Sequence, residues 1–194
     1  MIRTYTGPMF SDKSASLIDI YRCIWNKDIV AAFKPRHDTR DGSVIKSKKY
    51  PNIEIPAIFV DTTEEIKESI INGNFRTVFI DEAEFLKGDV RELVDLSVIL
   101  NVDFYIAGLN MTSELSPFGI MADLLAVSDE ITHIRGYCQD CNKPSYYSYF
   151  LGGANEEAGV GDNYISLCPE CFKRRMLSKN GQRLTLRSMW WSIY

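Results

Sequence analysis

The sequence predicts an α/β fold: a parallel sheet with crossover helices, followed by a small module of the kind a metal holds together. Three observations carry this. Over residues 1–135, short β-rich runs alternate with helical stretches, as they do when parallel strands are joined by crossover helices. Several of these runs are almost continuously apolar, as strands buried on both faces must be. From Tyr137 the texture changes to Cys, Gly, Asn and Tyr, with two CxxC pairs. At 194 residues, 45% hydrophobic and 25% charged, the chain suits one full domain plus an appendage better than two independent cores.

Taken in order, strands are expected over residues 2–6, 29–33, 57–60, 77–80, 104–107 and 130–135. Asp61-Thr62-Thr63-Glu64 reads as a capping box, with a side-chain oxygen at the N-cap and a glutamate three residues on. The helix that follows sets Ile66, Ile70 and Ile71 on one face. Further helices are expected over 88–100 and 119–127, their apolar stripes facing the core. Cys23 follows Leu17, Ile20 and Tyr21 on a helix and is expected to be a buried core thiol.

Charge narrows the function classes. The formal net charge is -4, so no global basic field exists to hold a nucleic-acid backbone, and direct nucleic-acid binding is not expected. The run Lys46, Lys48, Lys49 is read as a solvated loop. No apolar stretch approaches ~20 residues and no signal-like core precedes the first motif, which points to an intracellular, cytoplasmic protein without a membrane span. Five cysteines, an odd number, fit reduced thiols rather than disulfides. The tail Met189-Trp190-Trp191-Ser192-Ile193-Tyr194 is expected to dock on the body or on a protein partner, since two adjacent exposed tryptophans would form an apolar patch.

Three motifs carry chemistry. Cys138-Gln139-Asp140-Cys141 and Cys168-Pro169-Glu170-Cys171 are two knuckles able to set four thiolates tetrahedrally around Zn²⁺. A closed shell of four sulfurs leaves no open position for catalysis, so the ion is structural. Residues 142–167 are more than a minimal ribbon needs, and residues 152–159 read as a flexible glycine-rich loop. The second motif, Gly7-Pro8-Met9-Phe10-Ser11-Asp12-Lys13-Ser14, follows a strand and opens a helix, the setting of a phosphate loop G-x-x-x-x-G-K-[ST]. Asp12 replaces its second glycine. It brings a Cβ where close approach is wanted, and a charge opposed to phosphate by ~4 kcal/mol at ~4 Å and an effective dielectric of ~20. The third, Val78-Phe79-Ile80-Asp81-Glu82, is a strand ending in two carboxylates. Asp81 can reach Mg²⁺ through water and Glu82 can act as a base.

In combination these residues resemble the zinc-containing (type II) thymidine kinase family. The resemblance rests on Gly7 to Ser14, on Lys34-Pro35-Arg36-His37-Asp38-Thr39-Arg40, on Ile80-Asp81-Glu82-Ala83-Glu84-Phe85, on the segment from Gly108 to Gly119, and on the four cysteines. It implies a P-loop nucleotide-binding domain over 1–135, a zinc and lasso module over 136–175 and a tail over 176–194. It implies ATP and Mg²⁺ at Gly7, Ser11, Lys13, Ser14, Asp38, Arg40 and Asp81, with Glu82 as general base toward a nucleoside 5′-hydroxyl. Met9, Phe85, Leu109, Phe118 and Tyr164 would line the nucleoside pocket. A homotetramer is also implied.

The departures from the family pattern fall at functional places. Besides Asp12, Glu84 stands where the family has glutamine, Ser113 where it has an aromatic ring, and Pro169 where arginine is common. Two readings follow: a divergent kinase that phosphorylates a deoxynucleoside from ATP, or a catalytically inactive homologue acting as a binding or regulatory protein. Lys13, Ser14, Asp81 and Glu82 favour the first; Asp12, Glu84 and Ser113 favour the second.

Overall fold

β1 (Ile2–Thr6) opens the chain, and in the computed structural model it lies inside the sheet, flanked on both sides. The structure describes residues 1–27, 29–38, 41–152 and 163–179. Arg40, most of the expected glycine-rich loop and the aromatic tail from Met189 to Tyr194 lie outside the described residues. After β1 come α1 (Lys13–Cys23), β2 (Val30–Pro35), β3 (Val44–Ile45), β4 (Ile55–Pro56), β5 (Ile58–Val60) and α2 (Thr63–Gly73). Then follow β6 (Thr77–Ile80), α3 (Arg91–Leu100), β7 (Asp103–Gly108), α4 (Met121–Val127) and β8 (Glu130–His133). The sheet order is β5-β2-β6-β7-β1-β8, every neighbouring pair parallel.

Strand alternation splits the core in two. In β6, Val78 and Ile80 face a cluster with Ile66 and Ile70 of α2, Leu93 and Leu96 of α3 and Met121 and Leu124 of α4. Phe79 points the other way, toward Leu17 and Ile18 of α1 and Ile45 and Ile55 of the β3–β4 hairpin. Its ring stacks on Tyr105 at 5.3 Å and meets Tyr21 edge-on at 5.9 Å. Both faces of the inner strands are covered, which is why these read as apolar runs, while β8 at the edge is exposed along its length.

Several local expectations are corrected. The capping frame is one residue later: Thr62 is the N-cap, its Oγ1 accepting from the Glu65 N–H at 3.2 Å, and Glu65 Oε2 accepts from the Asp61 N–H at 3.1 Å. Asp61 is engaged instead by Arg36 at 3.0 Å. Ile71 is exposed, because the stripe of α2 passes through Ile66 and Ile70 and a further 100° step leaves it. Cys23 is also exposed, at the last position of α1, so it is no core thiol. α3 begins at Arg91 rather than Gly88, since Asp89 Oδ1 takes the Arg91 N–H at 2.9 Å and marks the start. β2 continues past Phe33 through Lys34, whose charge is compensated inside the fold.

Beyond the sheet, β9 (Gly136–Tyr137) pairs with β10 (Pro144–Ser145), and β11 (Tyr147–Phe150) pairs with β12 (Tyr164–Leu167), both antiparallel. α5 (Pro169–Lys179) follows. Pro169 holds its first position, where a missing N–H has no consequence. Residue 175, where the module was expected to end, falls inside α5. The helix lacks a legible stripe: only Phe172 and Met176 join the core beside the cysteines. Met9 N–H donates to Ser148 Oγ at 2.9 Å and ties the phosphate loop to β11.

Candidate functional site

The carboxyl ends of β1, β2, β6 and β7 converge on a cavity of about 540 Å³, the position where open α/β sheets present their ligands. The loop from Gly7 to Ser14 joins β1 to α1 at its rim, and the helix N-terminus is the fold's natural anion site. Gly7 is needed for close approach: a Cβ there would sit 2.1 Å from the Ile134 carbonyl oxygen. Pro8 carbonyl oxygen accepts from Lys13 Nζ at 2.9 Å and from Ser11 Oγ at 2.8 Å. Asp12 is exposed and holds φ 60 and ψ 33, a left-handed conformation, with its carbonyl accepting from Ala15 and Ser16 as α1 begins.

β6 ends beside the loop. Ser14 and the buried Asp81 carboxylate line the same cavity, and Glu82 N–H donates to Asp81 Oδ1 at 3.1 Å. Burial raises the Asp81 carboxyl above its ordinary range, against the pull of Ser14 and Lys13. Glu82 is half-buried on the cavity wall with a left-handed φ of 52, starting a short 3-10 turn at Ala83–Phe85. Lys34 and Asp38 form an ion pair at 3.0 Å with side chains 3% and 5% exposed, and Lys34 also donates to the Val44 carbonyl.

The apolar side of the site assembles from distant segments. Met9, Leu109 and Tyr164 form one buried cluster against which Phe118 and Phe150 pack. Phe85 meets Phe118 edge-on at 5.2 Å and His37 at 4.8 Å. Ser113 lines a small hollow there with Phe118 and Tyr164. The described site residues named from the motifs therefore come together, while Arg40 lies outside the described residues. Sequence reasoning missed Lys34, Lys46 and Lys48 as cavity-lining residues, and Phe150, whose ring lies 5.0 Å from Tyr164; Glu84 it had marked only as a departure from the family pattern. Only Lys34 left a signal, its spacing of four from Asp38.

The sulfurs of Cys138, Cys141, Cys168 and Cys171 lie within 4.8 Å of one another, close to the ~3.8 Å edge of a tetrahedron with 2.3 Å Zn–S bonds. Burial and the neighbouring sulfurs push Cys171 up to about 12. At Cys138 burial acts upward too, but backbone N–H groups outweigh it and bring the thiol down to about 6. Four adjacent thiolates repel, and a divalent cation relieves that repulsion; the donor set suits one. Asp140 in the first knuckle accepts a fork from Arg175 at 2.9 and 2.6 Å and a bond from Arg174 at 3.1 Å, pinning α5 to the cluster.

A parallel sheet with this loop and these carboxylates at its strand ends defines the class: a P-loop α/β protein with a four-cysteine module. Residues 1–172 match the family model described as thymidine kinase, and the chain belongs to that family. It is 31% identical over 180 residues to the thymidine kinase of Pseudothermotoga lettingae, covering 90% of this chain and 95% of that protein. It is 27% identical over 175 residues to the thymidine kinase of Mycoplasma mobile, covering 88% and 86%. Against that of Ureaplasma urealyticum serovar 10 it is 32% identical over 152 residues, covering 76% and 67%. Among the described residues no helix is long and apolar enough to cross a membrane.

Proposed function

We propose that the protein is a nucleoside kinase that transfers the γ-phosphoryl group of ATP to the 5′-hydroxyl of a deoxynucleoside, thymidine by family. The observation that carries this is one cavity shared by the phosphate loop with Ser14, Asp81 and Glu82, with the Met9, Leu109 and Tyr164 cluster alongside. Gly7, Ser11 and Lys13 hold the phosphates. Mg²⁺ would supply charge neutralisation there, held by Ser14, Asp81 and Asp38, with Arg40 directed to the phosphates. Glu82 accepts the 5′-hydroxyl proton as the oxygen attacks. Met9, Phe85, Leu109, Phe118 and Tyr164 wall the base. Cys138, Cys141, Cys168 and Cys171 hold a structural Zn²⁺ that keeps β12, and so Tyr164, in place.

Thymidine monophosphate formation from radiolabelled ATP tests the reading. Glu82→Gln keeps the shape and removes proton acceptance, so kcat should fall ~10²–10⁴-fold with ATP affinity within about twofold. Full turnover in that variant would exclude Glu82 as base, and no product from the wild type would exclude the kinase. The second reading, a catalytically inactive homologue, is favoured by the Asp12 carboxylate at the loop rim. Failure of MgATP to bind the wild type in calorimetry would select it.

A further inference from the structure

Glu84 has a place in the fold that the phosphoryl-transfer scheme does not use. It is 3% exposed, and its Oε2 is, among the described residues, the buried side-chain nitrogen or oxygen without a hydrogen-bond partner. Buried orphan oxygens are rare in folded proteins, and an ionised carboxylate placed so would meet no donor for its charge on that side. The carboxyl lines the cavity beside Met9, Glu82 and Leu109. Only a glycine on β7 leaves room for it: a Cβ on Gly108 would lie 2.8 Å from Oε2. A half-turn of the carboxyl only exchanges equivalent oxygens, so one oxygen always lies against Gly108 and the other is the one that can face the cavity.

The charge state follows from the surroundings. Burial first, then the Glu82 carboxylate, pushes the Glu84 carboxyl up to about 8; Lys13 and the backbone N–H groups of Glu84 and Leu109 pull less strongly the other way. Asp81 and the Lys34–Asp38 pair line the same wall, while β7 and α4 present only Gly108, Leu109 and Met121. Near neutrality Glu84 is therefore a neutral acid. In that form the carboxyl carries one O–H donor, and the oxygen away from Gly108 is the one placed to offer it to the cavity.

We propose that Glu84 is a substrate-contacting residue that donates its O–H to an acceptor oxygen of the nucleoside, a ring carbonyl or a sugar hydroxyl. This rests on the nucleoside-kinase reading. As the free acid ionises with rising pH, the donor is lost and a charge faces the same oxygen, so affinity falls through the region of about 8 and is intact below it.

The test is calorimetric titration of thymidine into the full chain between pH 6.5 and 9, without ATP. Wild-type affinity should fall about tenfold between pH 7 and 9, since only about a tenth of the acid form remains one unit above its midpoint. Glu84→Gln keeps a donor without a titrating charge, and its affinity should be flat apart from ionisation of the ligand itself. Glu84→Met removes charge and donor together and should bind about tenfold more weakly than the Gln variant at pH 7. Repeating the series with 3′-deoxythymidine assigns the acceptor: a lost pH dependence places it at the 3′-hydroxyl, a retained one elsewhere on the nucleoside. Matching pH profiles in wild type and Glu84→Gln, or a pH dependence seen for MgATP instead of thymidine, overturns the proposal and leaves the kinase reading intact. Thymidine bound by neither protein at pH 7 overturns both.

Discussion

Asp12 shows how a single side chain can leave a motif's backbone in place while changing its electrostatics. Glycine adopts its left-handed conformation freely, and aspartate adopts it at a penalty of about 1 kcal/mol, less than a β-branched residue would incur. The steric objection raised by the sequence is thus absorbed locally, and the carboxylate remains. Being exposed, it acts through screened solvent, between ~1 kcal/mol in bulk water and ~4 kcal/mol at a dielectric of ~20 for a phosphate ~4 Å away. Asp12→Asn should therefore recover most of the MgATP affinity that Asp12→Gly recovers, because asparagine tolerates the same φ and carries no charge. Calorimetry on the three proteins checks this. A wild type that binds MgATP as tightly as the glycine variant would show that Asp12 does not oppose phosphate.

At the scale of elements, β2 illustrates a strand extended by an ion pair. Its apolar run ends at Phe33, but Lys34 continues it because Asp38 stands 3.0 Å away in equal burial. A pair like this brings little net stability over apolar residues, yet breaking it is costly, since a buried charge loses its close counter-ion. Lys34→Met should lower unfolding stability by ~3–5 kcal/mol. Urea denaturation of the variant measures it, and a loss under about 1 kcal/mol would mean that Asp38 finds another partner or takes up a proton. The turn after β6 is a second case. Glu82 and Glu84 lie two residues apart, and the 3-10 turn at Ala83–Phe85 leaves one half-buried on the cavity wall and drives the other under β7.

For the whole molecule, the residues after 135 depend on their sulfur cluster. Among the described residues the core there comprises Cys138, Tyr149, Ile165, Leu167, Cys168, Cys171 and Phe172, few apolar side chains to hold these strands without a metal. The sheet has two larger cores of its own. Prolonged chelation should release one Zn²⁺ per chain and raise amide exchange across β9 to α5 while β1, β6 and β7 stay protected. Because Tyr164 sits on β12, thymidine affinity should fall in the same samples. Unchanged exchange after complete metal removal, or the absence of zinc in the native protein, would count against this dependence.

Much of this was legible beforehand. The parallel sheet, the phosphate loop, the carboxylate pair and the four cysteines are patterns of neighbouring residues, and their chemistry depends on spacing that the chain itself carries. The register of the α2 cap and the exposure of Cys23 and Ile71 were not legible, because each turns on a one-residue difference in what a side chain meets, and α5 was not, because it carries no apolar stripe. The assembly of Met9, Leu109, Phe118 and Tyr164 into one wall joins segments far apart in the chain, and only the family resemblance anticipated it. Glu84 marks the boundary most clearly. From sequence it is a carboxylate beside a carboxylate, a charge added to a pocket. Its protonation is decided by burial under a glycine of β7 and by the field of Glu82, and the dielectric around a side chain is a property of what packs against it in three dimensions.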